Sequence, residues 1–261
     1  MIKKITDKDF SKFISILEKS NFKKEEFLFH SKPYLSGFKT IINKTFDLTK
    51  KQKINILDLG CGSGLTSYLL ASLNNKVTAI DIYDKNEEIQ NSFVSKGKKT
   101  QQNLWDNLEK YNKNLNLRFY DGKKIPYKND SFDMVFCHAV LEHIPTNLLP
   151  KVLEEIYRTL KDGAYFVISR TPNKFALTEF LAKSHKIKFS KKELFKILSQ
   201  NKYKTIYYKK TDFFPEIAPI RFQNVLNQIY PVTNIIDNIL NNSPLEIVSH
   251  HHFIVLQKSN S

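Results

Sequence analysis

The stretch INILDLGCGSGLTSYLLASL, residues 54–73, decides the fold. It opens with an apolar run, turns through glycine at every second position, and continues into apolar residues at helical spacing. The first run predicts a short buried strand over Ile54–Leu59, and the second predicts a helix that ends at Asn74 and Asn75. A strand, a glycine-rich turn and the free N–H groups of a helix N-terminus together make a corner that binds nucleotides.

The details of the turn narrow the ligand. The glycines Gly60, Gly62 and Gly64 give the spacing G-x-G-x-G, whereas a dinucleotide fingerprint needs G-x-G-x-x-G, and Leu65 stands where its third glycine would fall. Asp58 lies just before the turn, where a carboxylate repels a pyrophosphate and attracts a cation. The turn therefore predicts a ligand that carries positive charge and argues against a dehydrogenase.

Strands and helices alternate along the rest of the core. The predicted strands are KVTAID (76–81), NLRFYD (116–121), SFDMVFCHAV (131–140) and AYFVIS (164–169). Helices are predicted over residues 86–112 and from Thr146 to a glycine stop at Asp162-Gly163. Such alternation indicates right-handed βαβ units and a mostly parallel, doubly wound sheet.

The flanking segments follow other patterns. Residues 6–46 are predicted to be helical, with Thr6 as the first cap. After Arg170, SKKELFKILSQ (190–200) predicts a helix capped by Ser190, YKTIYYKK (203–210) a strand, and HHFIVLQK (251–258) the final strand. Between them lies an apolar insertion that we expect three prolines to break into short helices: Pro215, Pro219 and Pro231. The predicted division is 1–50 helical cap, 51–211 core, 212–246 helical insertion, and 247–261 final strand and tail.

Composition restricts the class of protein. The net charge is +15, but only four of the 41 basic residues are arginine, the side chain that binds phosphate bidentately, so we interpret the charge as a solvated basic surface and not as a nucleic-acid footprint. Two cysteines, Cys61 and Cys137, cannot build a disulfide framework. The N-terminal residues lack a signal-peptide pattern, and no apolar run reaches about 18 residues. We expect a cytoplasmic protein.

ILDLGCGSG (56–64) resembles the first motif of the class I S-adenosylmethionine-dependent methyltransferases. Three further motifs follow in the order of the family: Asp81 at the end of the second strand, Asp121-Gly122 at the end of the third, and IPYKNDSFDMVFCHAVLEHI (125–144) with LKDGAYFVIS (160–169). The resemblance covers about residues 50–175. It implies an α/β, Rossmann-like, doubly wound sheet of seven mostly parallel strands, and S-adenosyl-L-methionine as cofactor with S-adenosyl-L-homocysteine as product.

The resemblance also implies a set of cofactor-binding residues. In the family, the acid that ends the second strand binds the ribose hydroxyls and the acid that ends the third meets the adenine amino group. The positions that match in this chain are Asp58, Gly60, Cys61, Gly62, Gly64, Asp81, Ile82, Asp121, Gly122 and His138.

Methyl transfer by in-line displacement depends on positioning and desolvation, and an oxygen acceptor also needs a base. The candidates for this base lie after the fourth strand: His138, Glu142 and His143. We predict Glu142 and His143 as catalytic, with a helix-start pair bound by backbone as the alternative. The ALEH sequence is similar to that of ubiquinone-type O-methyltransferases, some of which carry E-x-x-E-H as a metal-binding set. Ala139 replaces the first ligand here, so we predict no metal.

Other histidines are weaker candidates. His185 precedes a helix and either lines the acceptor pocket or lies on the surface, which we favour. His250, His251 and His252 enter the last strand, where neighbouring side chains point to opposite faces, so we do not expect them to share a metal.

The insertion is where we expect acceptor specificity. Its apolar face predicts an acceptor lid, a dimer contact or a membrane-surface patch, and the sequence leaves all three open: Phe213, Phe214, Ile220, Phe222, Leu226 and Ile229. Our leading hypothesis is a methyltransferase, monomeric or homodimeric, that acts on an O or N atom of a small metabolite of lipid, quinone or saccharide-pathway type. The alternatives are a tRNA or other RNA methyltransferase and a non-catalytic binding module.

Overall fold

A computed structural model describes residues 2–20, 31–82, 98–182, 185–214, 216 and 220–259. Its strands are β1 Asn55–Leu59, β2 Lys76–Ile82, β3 Leu115–Tyr120, β4 Phe132–His138, β5 Leu160–Pro172, β6 Tyr203–Thr211 and β7 His251–Lys258. Its α-helices are α1 Asp7–Lys19, α2 Lys32–Thr49, α3 Leu65–Ser72, α4 Lys98–Tyr111, α5 Leu149–Thr159, α6 Leu177–Ala182, α7 Lys191–Leu198 and α8 Ile220–Leu240. Short 3₁₀ turns cover Leu141–His143 and Pro244–Val248.

The seven strands form one sheet in the order β3-β2-β1-β4-β5-β7-β6. β1 pairs in parallel with both β2 and β4, while β7 runs antiparallel between β5 and β6. The chain winds to one side of β1 through β2 and β3, then returns to the other side with β4. This reversal creates a crevice at the carboxyl ends of β1 and β4, where open α/β sheets bind ligands. The predicted seven-stranded, mostly parallel sheet is confirmed.

Helices cover both faces of this sheet. Alternate strand residues belong to two separate cores, as the two-residue period of a strand requires: Ile56 and Phe136 to one, Leu57 and Val135 to the other. Helices α1–α4 contribute side chains to the first core, among them Trp105. Helices α5 and α7 cover the second core. Burial on both faces explains why the central strands are continuous apolar runs.

The predicted glycine stop after the fifth helix is wrong. α5 ends at Thr159, and Gly163 lies inside β5 with φ of +70°. The last carbonyls of α5 are satisfied differently, because the N–H groups of Asp130 and Ser131 donate to the carbonyls of Arg158 and Thr159. A contact from the preceding loop thus replaces the glycine cap.

The insertion also differs from the prediction. α8 is one 21-residue helix that continues through Pro231, which removes one backbone donor without ending the helix. Pro215 and Pro219 lie outside the described residues, as do residues 86–97 of the predicted fourth helix. The apolar side chains of Phe222 and Ile229 are largely exposed.

The described helices include none with the combined length and apolar composition that crossing a membrane requires.

Candidate cofactor and acceptor site

The glycine turn after β1 lies against the segment after β4. Gly60, Gly62 and Gly64 all have positive φ, the region that glycine favours. A Cβ built on Gly60 would lie 2.6 Å from Cγ2 of Val140, so a side chain here would force the two segments apart. The Gly60 N–H donates to the carbonyl of Ile80 over 2.8 Å, which ties the turn to β2. The turn and the end of β4 therefore form the two walls of the crevice.

Asp81, at the end of β2, holds the turn from the other side. Its Oδ2 accepts the Gly62 N–H at 2.6 Å and its Oδ1 accepts the Ile82 N–H at 2.7 Å. Burial raises the pKa of this carboxyl to about 6. The Gly62 carbonyl accepts from Trp105 Nε1 and Gln101 Nε2, each at 3.0 Å. Sequence reasoning missed these two α4 residues; the chain's single tryptophan in an otherwise polar helix was the available signal.

Asp58 is not an open acid beside the turn. Its side chain is 1% exposed, and Ser67 Oγ of α3 donates to Asp58 Oδ2 over 2.5 Å. Burial raises the pKa of Asp58 to about 7. Cys61 is also buried. The carboxyl of Asp58 therefore joins β1 to α3.

The acid at the end of β3 is more exposed. Asp121 Oδ1 accepts the Lys123 N–H at 2.9 Å, and backbone hydrogen bonds of this kind lower the pKa of Asp121. A Cβ on Gly122 would lie 3.0 Å from Cγ2 of Ile82, whose side chain is partly exposed. These three predicted residues therefore meet where β2 and β3 end.

His138 ends β4 on the opposite side of the crevice. Its Nδ1 lies 2.9 Å from Ser169 Oγ on β5, and its ring centroid lies 4.0 Å from that of Phe38 on α2. Burial, with the positive charge of Arg170, lowers the pKa of His138 well below its usual value. No described residue forms a hydrogen bond with His138 Nε2, which is buried. The imidazole is therefore neutral and offers one nitrogen for a further contact.

A buried ion pair lies beside His138. The Arg170 guanidinium, 5% exposed, binds the carboxylate of Glu216 and lies 4.4 Å from the ring centroid of Tyr34. The pair fits because residue 37 is glycine: a Cβ there would lie 2.3 Å from Glu216 Oε1. Ser31 Oγ also donates to the Glu216 carbonyl. Sequence reasoning missed this cluster, although a rare arginine at the end of a predicted strand was a signal.

The two predicted catalytic residues lie in the 3₁₀ turn after β4. Glu142 is 6% exposed; burial, with the charge of Glu179 adding to it, raises its pKa to about 8. His143 has an exposed side chain whose pKa is lowered by partial desolvation and by His185. The His143 N–H donates to the Val140 carbonyl at 2.9 Å, as in a helix-start pair.

Three of the four other candidate histidines contact a carboxylate, either Glu179 or Asp212. His185, expected on the surface, is 27% exposed, and its Nδ1 lies 2.5 Å from Glu179 Oε1. His250 Nε2 lies 2.8 Å from the same oxygen. His251 Nδ1 lies 2.8 Å from Asp212 Oδ2, while His252 Nε2 lies 2.8 Å from the Phe189 carbonyl. The three consecutive histidines therefore bind different partners, although the rings of His250 and His251 stack with their centroids 3.9 Å apart. His250 and His251 each approach other potential metal ligands.

A comparison with protein families matches residues 57–168 to the methyltransferase domain. The matched segment runs from β1 into β5 and contains the glycine turn, Asp81, Asp121 and His138. Residues 57–168 are therefore a methyltransferase domain, in agreement with the class I S-adenosylmethionine-dependent type that the motifs resemble. S-adenosylmethionine is accordingly its cofactor.

Among curated relatives of this methyltransferase chain, a sterol 4-C-methyltransferase of Caenorhabditis elegans is 29% identical over 122 residues, which are 46% of this chain and 32% of that protein. The chain thus spans about a third of the length of that relative. An uncharacterized protein of Methanocaldococcus jannaschii is 26% identical over 207 residues, 78% of this chain and 79% of that one. The sterol methyltransferase shares less than half of this chain, so its substrate is a property of that relative alone.

Solved structures share the fold. One from Galdieria sulphuraria, described as a putative sarcosine dimethylglycine methyltransferase, has a TM-score of 0.54 at 15% identity and covers 86% of each chain. The [4+2]-cyclase SpnF has a TM-score of 0.56 at 14% identity, covering 84% of this chain and 82% of its own. The same fold therefore occurs in a protein named for another reaction, and the site itself has to support a proposal about the chemistry.

Proposed function

We propose that this protein transfers the methyl group of S-adenosylmethionine to an O or N atom of a small metabolite of lipid, quinone or saccharide-pathway type. His138 carries the proposal: it is a half-buried, neutral imidazole whose buried Nε2 binds no described residue. It ends the strand beside the glycine turn, so it lies between the cofactor corner and the cluster around Arg170.

The residues around the crevice fit the cofactor. At Gly60 and Gly122 a Cβ would meet Val140 or Ile82, so glycine lets the turns after β1 and β3 pack closely against these side chains and fixes the backbone that would face the cofactor. Asp81 would bind the ribose hydroxyls, and Asp121, Gly122 and Ile82 would bind the adenine. The backbone of Gly60, Cys61, Gly62 and Gly64 would follow the rest of the molecule, while Asp58 would act through Ser67 by holding the turn in place.

When bound, the cofactor supplies a methyl group on a sulfonium, which is already a good leaving group. The protein's part is then to align the acceptor and to receive its proton. If His138 Nδ1 donates to Ser169 Oγ, the lone pair of Nε2 is free to accept a proton from a hydroxyl or an amine. Its low pKa keeps the ring unprotonated at neutral pH, so the base is weak but always available.

We propose that Glu142 and His143 assist catalysis by binding the acceptor, and not by removing its proton. With a pKa of about 8, Glu142 holds its proton at pH 7 and would donate a hydrogen bond to the acceptor instead of taking a proton. His143, exposed at the edge of the same turn, would contact the outer part of the acceptor.

The helical cap and the insertion would cover the acceptor and exclude water. Three contacts support this: Arg170 with Glu216, Ser31 with the Glu216 carbonyl, and the Lys32 N–H with Asn227 Oδ1 at 2.9 Å. They join α2, β5 and the insertion above the end of β5. The exposed apolar side chains on the outer face of α8 are compatible with a dimer interface or with contact with a membrane surface.

The acceptor class would be tested with S-adenosylmethionine labelled in its methyl group. The purified chain would be incubated with separate lipid, polar-metabolite and RNA fractions, and transfer and S-adenosylhomocysteine would be measured. We expect label in a small-molecule fraction, strongly reduced in His138→Asn and retained in the matched variant His252→Asn. Label in RNA would support the alternative RNA methyltransferase, and cofactor binding without transfer to any fraction would favour a binding module.

A further inference from the structure

We propose that Glu179, His185 and His250 form a binding site for a divalent transition metal of the zinc type. None of the three residues lies in the matched methyltransferase segment 57–168, and the proposal does not depend on methyl transfer. It reverses our expectation that the chain binds no metal.

The three side chains converge on one point. Glu179 belongs to α6 and is 1% exposed, while His250 directly precedes β7. Oε1 of Glu179 contacts both imidazoles: it lies 2.5 Å from His185 Nδ1 and 2.8 Å from His250 Nε2. One ligand atom from each residue lies within 4.8 Å of the other two. The segment 179–185 and the distant His250 therefore present a carboxylate and two imidazoles to a common centre.

Two histidines and one carboxylate are a common ligand set for zinc, with nitrogen and oxygen atoms about 2.0–2.2 Å from the metal. A metal would take the place of the hydrogen bonds between each ring and Oε1. Each imidazole would bind it through the nitrogen that now faces Oε1 and would carry its proton on the other nitrogen. Three protein ligands leave at least one position for water or for an acceptor atom.

The carboxylate of Glu179 would attract a cation, because its side chain is only 1% exposed. The nearby carboxyl of Glu142 holds its proton at pH 7 and adds no charge, but no described residue forms a hydrogen bond with its Oε2. Lys188 Nζ lies 3.5 Å from Glu179 Oε2, beyond hydrogen-bond distance, and offsets the charge of that carboxylate only in part. A divalent ion would supply more charge at shorter range and would compete with Lys188.

A second set, Asp212, Glu216 and His251, meets the same distance criterion but does not suit a cation. The Arg170 guanidinium already binds Glu216, and a guanidinium keeps its charge at every relevant pH. A divalent ion placed there would be repelled at close range. The first set has Lys188 nearby, which a metal could displace, whereas the second set already holds the guanidinium of Arg170.

The test is titration of the metal-stripped full chain with Co²⁺, followed by visible absorption, and with Zn²⁺, followed by calorimetry. We expect one ion per chain, at least tenfold weaker binding in Glu179→Gln and in His250→Ala, and several-fold tighter binding in Lys188→Met, which removes the competing charge. His252→Asn is the matched control, because it removes a neighbouring histidine outside the set, and it should bind like the wild type.

Circular dichroism and the S-adenosylmethionine affinity of each variant would establish that it is folded. The proposal is overturned if the folded wild-type chain binds neither ion, if Lys188→Met binds no tighter, or if His252→Asn loses as much affinity as His250→Ala. The last result would assign binding to the histidine run in general and not to this cluster.

Discussion

The two halves of the crevice are built in different ways. The half that we propose binds the cofactor (the cofactor half) lies at the carboxyl ends of β1, β2 and β3 and consists of a glycine turn and two strand-end acids held mainly by backbone hydrogen bonds. The half that we propose binds the acceptor (the acceptor half) lies at the carboxyl ends of β4 and β5 and the start of β7. It consists of side chains that bind one another, such as Arg170 with Glu216 and His251 with Asp212. A backbone-built site suits an invariant ligand, whereas a side-chain cluster can be changed one residue at a time. We infer that specificity resides in the second half.

His138→Asn should give the largest effect and should separate the halves most sharply. Loss of a general base typically costs about 10²–10⁴ in rate, while asparagine keeps a polar group beside Ser169. We expect kcat to fall by that order and S-adenosylmethionine affinity to change by less than about threefold. An equal loss of cofactor affinity would place His138 in the cofactor half instead.

Arg170→Met should destabilise the acceptor half. It leaves Glu216 buried without its partner, and breaking a buried pair costs about 3–5 kcal/mol of the free energy of unfolding. Chemical denaturation would measure the loss, and Arg170→Met with Glu216→Leu should recover a large part of it, since no charge is then stranded. A double variant no more stable than the single one would contradict this reading of the pair.

Asp81→Ala should weaken S-adenosylmethionine binding by about a hundredfold, because it removes the acid assigned to the ribose and frees the Gly62 N–H, at about 1.5–3 kcal/mol for a charged hydrogen bond. Asp106→Ala, an exposed acid on α4, is the matched control. Calorimetry would compare the two, with circular dichroism to show that both are folded. Equal affinity in both variants would remove Asp81 from the site.

Asp58→Asn should have the smallest effect on activity and cofactor affinity, and its effect should be visible in the pH dependence of stability. Folding raises the pKa of Asp58 to about 7, so its stabilising contribution is complete below its unfolded pKa and is lost as the pH rises from about 4 to 7. The slope from one such group is at most about 1.4 kcal/mol per pH unit. Asparagine cannot titrate and should flatten the curve; an unchanged slope would mean that other groups produce it.

Sequence reasoning reached the cofactor half because that half is local. Gly60 and Asp58 are two residues apart, and strand ends follow from the alternation of apolar runs, so a motif and a topology rule are enough to bring Asp81 and Asp121 to one edge. The acceptor half needs Gly37, Arg170 and Glu216 to meet, and nothing in their spacing indicates that they do. Its contacts exist only once the helical cap is packed against β5.

Local rules also failed where tertiary contacts override them. Gly163 is a good helix stop by itself, but pairing of Leu160 with Phe132 starts the strand three residues earlier. Pro231 is a good helix breaker by itself, but α8 continues through it. Asp58 was interpreted as an acid facing a cation, and its burial against Ser67 could not be predicted without knowing how α3 packs.

The most direct test of the account is a calorimetric titration of the purified chain with S-adenosylmethionine and S-adenosylhomocysteine, with NADH as the control. The crevice predicts that both sulfur ligands bind with one molecule per chain and that NADH does not, because the turn lacks the third glycine and the pyrophosphate would approach the carboxyl of Asp81. Binding of NADH, or the absence of binding by either sulfur ligand to the folded chain, would contradict it.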